Sequence, residues 1–219
     1  MEIKIKTKRL LLRPLTDEAL AARRDAETDA HMKKAYGEML DGCLRAPKDR
    51  LWFTEWSIEL KTGECIGGFC FKGPAVNGEA EIGYEIAEAQ RRQGYAFEAI
   101  HAAMEWAYGC DGVYFVSAET EPGNTPSQKL IEKLGFTPDG VGAEGPRYIR
   151  EKEPSAWMSV YMCLGMGVGL CFGTALGNLT LGMCCGMPLG VAVGLALDAQ
   201  DKRKRESLRA AREAAKKER

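Results

Sequence analysis

The chain has almost nothing with which to hold a metal ion. Its 219 residues include eight cysteines but no C-x-x-C pair, and only two histidines, His31 and His101. Zinc frameworks with sequence-readable ligand spacing are excluded, and no metal is expected. The cysteines read as small apolar filler. A dominant charge is also lacking: 30 Lys and Arg face 31 Asp and Glu, a formal balance of −1. No broad basic field exists to attract nucleic acid, and none is expected as a partner. The opening MEIKIKTKRLLLRPL has no long apolar core and no cleavage site, so no secretory signal is expected and the first domain is assigned to the cytoplasm. The strongest absence is local. From Ser155 to Leu197 no residue is charged, whereas the last 22 residues carry nine Lys or Arg against five Asp or Glu.

Three regions follow: a mixed domain over 1–154, an uncharged hairpin over 155–197 and a charged, basic tail helix over 198–219. In the first, RLLLRPL at 9–15 reads as a strand stopping near Pro14, the Ala-, Glu- and Arg-rich stretch 17–36 as a helix, and 41–49 as a loop. LWFTEWSIEL at 51–60 alternates as a strand, Lys61-Thr62-Gly63-Glu64 turns, and CIGGFCFK at 65–72 returns. EAEIGYEI at 79–86 puts Ala80, Ile82, Tyr84 and Ile86 on one face and Glu79, Glu81, Gly83 and Glu85 on the other. Gly83 fits either a bulge, a close backbone approach or plain packing. A helix from about 94 to 108 carries Ile100, Ala103, Met104 and Ala107 on one stripe. VYFVSAET at 113–120 suits a strand buried on both faces. The next helix has Thr125 as N-cap, Pro126 at N1, Gln128 at N3 and Gly135 just past its end. More β-structure fills 136–150. The fold class is α+β: a mixed, mostly antiparallel sheet flanked by helices, with a βαβα unit at 79–135.

The junction from Ile86 to Ala96, containing RRQGYA, is the best candidate site. A helix starting near Gly94 presents unsatisfied N–H groups and a positive dipole end. Gly94 lets a ligand approach the backbone, Ala96 avoids a steric wall, and Arg91 and Arg92 add charge for a phosphate. Taken alone, the same residues also describe a solvated turn.

RRQGYAFEA at 91–99, NTPSQKLIEKLGF at 124–136 and EIGYEI at 81–86 before them, in that order, resemble the GNAT family of acetyl-CoA-dependent N-acetyltransferases. RLLLRPL also looks like the branch containing ribosomal-protein alanine acetyltransferases. The resemblance spans roughly residues 1–152 and implies an acyl-CoA N-acyltransferase fold with acetyl-CoA as co-substrate. It implies that Ile86, Arg91, Arg92, Gln93, Gly94, Tyr95 and Ala96 form the cofactor loop, gripping a pyrophosphate chiefly through main-chain amides, and that Asn124 and Ser127 face the cofactor near its thiol end. Asn124 also suits simple helix capping. The implied chemistry is direct attack of a primary amine on a thioester. A lysine amine, pKa about 10.4, needs a base more than a chain terminus near 8 does. Glu81, on the polar face of its strand, is the candidate base, directly or through water. A backbone N–H of the same strand is the candidate oxyanion donor. The family commonly places a tyrosine seven residues after the asparagine; here that position is Ile131, leaving Ser127 as candidate donor to the thiolate. Glu98 matches the loop-helix motif and also suits stabilisation of the helix start. The amine acceptor, a small molecule or a peptide or protein N-terminus, is not readable.

In the uncharged region glycines recur at 165, 169, 173 and 177, then at 182, 186, 190 and 194. This glycine zipper resembles small-residue helix interfaces of membrane proteins. Residues 157–177 and 179–197 are each long enough to span a bilayer core of about 30 Å, with a turn at Gly177-Asn178. The basic tail then favours the cytoplasmic side. A soluble zipper, joined within or between subunits, is the competing reading. Three functions stay open: an N-acetyltransferase, a catalytically silent acyl-CoA-binding or sensing module, and a membrane or oligomerisation scaffold.

Overall fold

The computed structural model describes residues 3–217. The chain divides into two compact units, Met1–Lys152 and Glu153–Arg219. In the first, eight strands form one sheet: β1 (Ile5–Lys6), β2 (Leu10–Pro14), β3 (Glu55–Leu60), β4 (Cys65–Phe71), β5 (Glu79–Ile86), β6 (Phe115–Glu119), β7 (Thr137–Val141) and β8 (Pro146–Glu151). Their order is β1-β2-β3-β4-β5-β6-β8-β7. Strand neighbours are antiparallel except β5 and β6, which run parallel because helix α3 (Tyr95–Gly109) carries the chain back between them. Helices α1 (Asp17–Ala26) and α2 (Ala30–Arg45) lie between β2 and β3 in the chain, and α4 (Thr125–Lys133) follows β6. The unit is the α+β mixed sheet that the alternation patterns predict.

The apolar stripe of α3 drives the packing. Ile100, Ala103, Met104 and Ala107 are fully buried in one core with Trp56, Phe69, Phe71 and Ile82. Each buried Ile, Phe or Met contributes about 1.5–3 kcal/mol relative to exposure, so this face fixes α3 against the sheet.

Several local expectations change. The single helix over 17–36 is two helices, since Asp29 starts a new one by accepting the N–H groups of His31 and Met32, both at 2.9 Å. The loop over 41–49 is shorter, because α2 runs on to Arg45. Gly42, which suggests a loop, instead lets the Phe53 ring lie against the helix; a Cβ there would stand 2.7 Å from Phe53 Cγ. The strand at 51–60 begins only at Glu55, after a 3-10 turn at Arg50–Trp52 whose Leu51 carbonyl accepts the Trp56 indole N–H. Asn124, not Thr125, caps α4, its side chain accepting the Ser127 N–H at 3.2 Å. Gly83 forms no bulge: register through β4 and β5 is continuous, and a Cβ on Gly83 would meet only Cys70 Sγ at 3.9 Å.

The second unit is a pair of helices, α5 (Trp157–Ala175) and α6 (Leu179–Lys217), turned by Gly177 at φ +70°. Asn178 Oδ1 accepts the Leu181 N–H at the turn. The helices meet on their glycines. A Cβ on Gly186 would lie 2.6 Å from Gly169 Cα, one on Gly182 2.6 Å from Gly173 Cα, and one on Gly165 2.9 Å from Gly190 Cα. At the open end Asp198 accepts the N–H groups of Trp157 and Met158, at 3.0 and 3.1 Å. Beside it buried Arg205 bonds Asp201 and the Glu153 carbonyl. The basic tail is a continuation of α6, which runs unbroken through Pro188 and past Asp198. Both helices are long and apolar enough to cross a membrane, by length and composition.

Candidate active site

The site is a fork in the sheet. β5 and β6 pair at three rungs, Glu79↔Phe115, Ala80↔Val116 and Glu81↔Ser117. Beyond Glu81 they part. β5 continues to Ile86 on β4 alone, and β6 continues to Glu119 on β8 alone. The bonds Lys72 N–H to Glu81 O and Ala87 N–H to Ile66 O set the phase of β5 against β4. By alternation, the N–H groups of Tyr84 and Ile86 face the gap. They are the main-chain donors that a ligand lying along the gap meets first. The Ile86 carbonyl already accepts from Arg91 Nε at 3.0 Å.

At the far end of β5 the chain makes a short 3-10 turn, Glu88–Gln90, and then two residues with positive φ, Arg92 at +64° and Gly94 at +79°. The first bond that closes α3 runs from the Glu98 N–H to the Gly94 carbonyl. The N–H groups of Arg92, Gln93, Gly94, Tyr95 and Ala96 have no hydrogen-bond partner among the described residues. Amides left open at a helix start, around left-handed residues, form an anion-binding concavity. The residues therefore fit the diphosphate of a coenzyme A. Arg91 turns back to its own strand, so its side chain shapes the loop rather than simply adding charge.

Arg9 escaped the sequence reading as a site residue. Its guanidinium donates to the Gln93 carbonyl at 3.0 Å and lies 4.5 Å from the centre of the Tyr95 ring. It also pairs with Glu98 at 2.7 Å. Glu98 is a tie between α3 and the first hairpin, accepting from Thr7 Oγ1 at 2.6 Å and from the Arg9 N–H at 2.7 Å. Burial alone raises its pKa, but these hydrogen bonds and the Arg9 charge outweigh burial and hold the carboxyl below its usual 4.5. The only sequence signal for Arg9 was its place at the head of RLLLRPL.

Glu81 stands on the last rung before the strands part. Its carboxylate pairs with Lys72 at 2.6 Å and lies 3.9 Å from Arg147. Lys72 also reaches Glu144 at 2.7 Å. Burial lowers the Lys72 pKa, yet the two carboxylates outweigh it and the ammonium is held more firmly than usual. Arg147, another residue that the sequence did not single out, gathers Glu79, Glu119 at 3.1 Å and Asp139 at 3.5 Å. So the polar face at the fork is acidic but cross-linked by cations. Glu79 is tied to Arg147, while Glu85 is exposed further along the strand.

Across the fork, Asn124 fixes the first turn of α4 and thereby Ser127. The Ser127 hydroxyl stands 2.8 Å from the Tyr84 hydroxyl. Ile131 is fully buried in the core. Glu81 and the loop Arg91–Ala96 thus lie at opposite ends of the free stretch of β5, with Ser127 facing that stretch from α4. His31 sits on α2 and His101 on α3.

A parted pair of parallel strands, ending in open amides at a helix start, is a shape that a long ligand with a phosphate tail fits. Residues 9–137 match the family model described as Acetyltransferase (GNAT) domain, and the chain belongs to that family. It is 38% identical over 99 residues to the uncharacterized N-acetyltransferase YjdG of Bacillus subtilis, covering 44% of this chain and 59% of that protein. It is 30% identical over 149 residues to the uncharacterized N-acetyltransferase YoaA of the same organism, covering 63% of this chain and 84% of that one. The match thus spans less than two thirds of YjdG. A structure of RimL, a ribosomal L7/L12 alpha-N-protein acetyltransferase in complex with coenzyme A, has the same fold. Its TM-score is 0.54 at 16% identity, over 68% of this chain and 98% of that one.

Proposed function

We propose that the chain is an N-acetyltransferase that moves acetyl from acetyl-CoA to a primary amine by direct attack within a ternary complex. The observation that carries this reading is the fork, open from Glu81 to Ile86 and ending at the unpaired amides of Arg92 to Ala96. Acetyl-CoA, when bound, supplies an activated thioester. The open amides hold the diphosphate, and the slot-facing N–H of Ile86 bonds the arm that lies along β5. The slot-facing N–H of Tyr84, nearer the apex, donates to the oxyanion that develops on the acyl carbon, an interaction worth about 2.7–4 kcal/mol where measured in other enzymes. Glu81 takes the proton that the amine loses, directly or through one water. Its ion pair with Lys72 fixes the carboxylate at the apex of the fork. The acidic surroundings of Glu81 favour a cationic acceptor, either a small amine or the N-terminus of a protein. RimL, which acts on a protein N-terminus, makes the latter the first acceptor class to test.

We further propose the three-part division 1–154, 155–197 and 198–219, with the catalytic domain in the cytoplasm and the hairpin in a membrane. Large apolar side chains stand exposed along both helices outside the zipper, among them Leu164, Val168, Phe172, Leu181, Leu189 and Leu195. Lipid is the solvent such a surface suits, and the charged half of α6 suits the cytoplasmic interface.

Calorimetry on the full-length protein tests the donor: acetyl-CoA binds, and Glu81→Gln leaves its affinity within about twofold while lowering kcat by about 10²-fold or more. Absence of binding to the folded protein refutes the reading. Binding without thiol release on any amine in a screen of peptides, polyamines and small amines favours the silent module. Liposome flotation tests the hairpin. The full-length chain rises with vesicles; a chain that stays at the bottom is a soluble zipper.

A further inference from the structure

Two hydroxyls meet beside the fork. Tyr84 belongs to one lip of the fork. It is paired with Phe69 of β4 and shares the apolar face of β5 with Ala80, Ile82 and Ile86. Ser127 belongs to the other lip, at the first turn of α4. Their oxygens stand 2.8 Å apart, and either can be the donor. The bond therefore bridges the gap that β5 and β6 leave, partway between the fork apex at Glu81 and the open amides at 92–96. Both partners are held from behind. Asn124 fixes the α4 turn that carries Ser127, and Tyr84 is anchored by its strand register on β4.

We propose that Tyr84 and Ser127 act as a two-hydroxyl relay that protonates the departing thiolate, with Ser127 in contact with the sulfur and Tyr84 acting through it. Ser127 is then the catalytic residue and Tyr84 a positioning residue. The proposal rests on the acetyl-transfer reading above.

The faces of β5 give the relay its direction. Glu81 and Tyr84 are three residues apart on one strand, so their side chains leave opposite faces of the sheet. A base on one face and a donor on the other suit an amine arriving from one side of the acyl carbon while the sulfur leaves toward the other. The bonds balance. The C–N bond forms and the C–S bond breaks; the amine proton goes to Glu81. The sulfur takes the Ser127 proton, Ser127 takes that of Tyr84, and the phenolate is reprotonated from solvent, which in turn receives the proton from Glu81. A serine hydroxyl alone is a poor acid, whereas a phenol is much closer in acidity to a thiol; burial raises the Tyr84 pKa above the usual phenol value, and the hydrogen bond with Ser127 opposes that rise. α4 has no tyrosine to take this part, and its Ile131 is packed in the core.

Single-turnover kinetics on the full-length protein tests the relay, with acetyl-CoA affinity measured in parallel by calorimetry. Tyr84→Phe and Ser127→Ala each lower the rate of acetyl transfer by about 10–10²-fold, with acetyl-CoA Kd within about twofold, and the double variant is no slower than the slower single one. Replacing Tyr84 with mono- and difluorotyrosine, which keep the shape and raise the acidity, increases the transfer rate in step with acidity at pH 7. That graded response does not follow from packing alone, and it keeps the test decisive if Tyr84→Phe fails to fold. A wild type that binds acetyl-CoA and transfers acetyl, with fluorotyrosine variants at an unchanged rate, overturns the relay and leaves the enzyme reading intact. A wild type that transfers acetyl to no amine overturns the enzyme reading, and the relay with it.

Discussion

The two units treat the space between neighbouring backbones in opposite ways. In the first, two strands that begin as a parallel pair are driven apart after three rungs, and the gap is kept open. In the second, two helices are drawn together until main chain meets main chain, and nothing fits between them. Glycine serves both ends. At Gly94 it supplies a left-handed turn, φ +79°, that leaves amides unpaired. At Gly165, Gly169, Gly182 and Gly186 it supplies the absence of a Cβ. The same residue type is thus used for conformation in one place and for volume in the other, and substitutions separate the two uses. An added Cβ is tolerated by space but not by φ in the loop, and by φ but not by space in the hairpin.

The largest effect is expected where space fails. In Gly186→Leu the new side chain runs into the main chain of Gly165 and Gly169, atoms that cannot move without separating the helices. Overpacking of this kind costs about 1–3 kcal/mol and more when backbone must shift. Hydrogen exchange followed by mass spectrometry in the full-length protein should show protection of the facing turns of α5 and α6 fall by about 10²-fold or more, with exchange in the first unit unchanged. Protection that survives would mean that the glycines are not what holds the hairpin.

Both uses were legible in the sequence as local patterns. The zipper could be read from spacing alone, because a repeat of four on an uncharged helix states which residues share a face. The turn before α3 was legible too: alternation gives the faces of EAEIGYEI, and Gly94 stands at the following helix start. What escaped was everything that depends on a distant partner. Arg9 lies 84 residues before Gln93, whose carbonyl it bonds. Tyr84 looked like one more apolar-face residue until its hydroxyl was found against Ser127, 43 positions on. Arg147 and Lys72 carry no local signal, yet they cross-link the carboxylates around Glu81. Local pattern gives faces and turns; it does not give which residue of one element reaches which residue of another. The helix ends show the same limit, since α2 runs past Gly42 to Arg45 with the distant Phe53 ring packed against that glycine.

In the loop the effect is smaller and falls on the ligand. Gly94→Ala forces a Cβ into the left-handed region, at about 1–2 kcal/mol, while the nearest obstacle is the movable end of Arg9 at 3.5 Å. Acetyl-CoA affinity should fall about tenfold by calorimetry, as expected for about 1.4 kcal/mol, and the loop should be the only region whose exchange changes. Glu98→Gln probes the same corner through pH. The folded carboxyl titrates below its unfolded value, so its contribution is present above about pH 4.5 and disappears as pH falls through the lower folded value. Urea melts should therefore show the variant less stable than the wild type at pH 7, with the two converging as pH falls below about 4.5. A difference that does not shrink with acidity would assign the role of Glu98 to shape rather than charge.

The smallest effect tests the comparison within a single helix. Gly167 lies on α5 between Gly165 and Gly169 but points away from α6; nothing stands within 4 Å of the Cβ it lacks. Alanine is favoured over glycine in a helix by about 1 kcal/mol, because it loses less backbone freedom. Gly167→Ala should therefore slow exchange across α5 by up to about fivefold, whereas the identical change at Gly169, where a Cβ would stand 3.1 Å from Gly186 Cα and closer still to the Gly182 carbonyl, should speed it. Opposite signs from one substitution, two residues apart, would establish that contact geometry and not glycine content holds the hairpin together. Equal signs would mean that the two helices do not meet on this face.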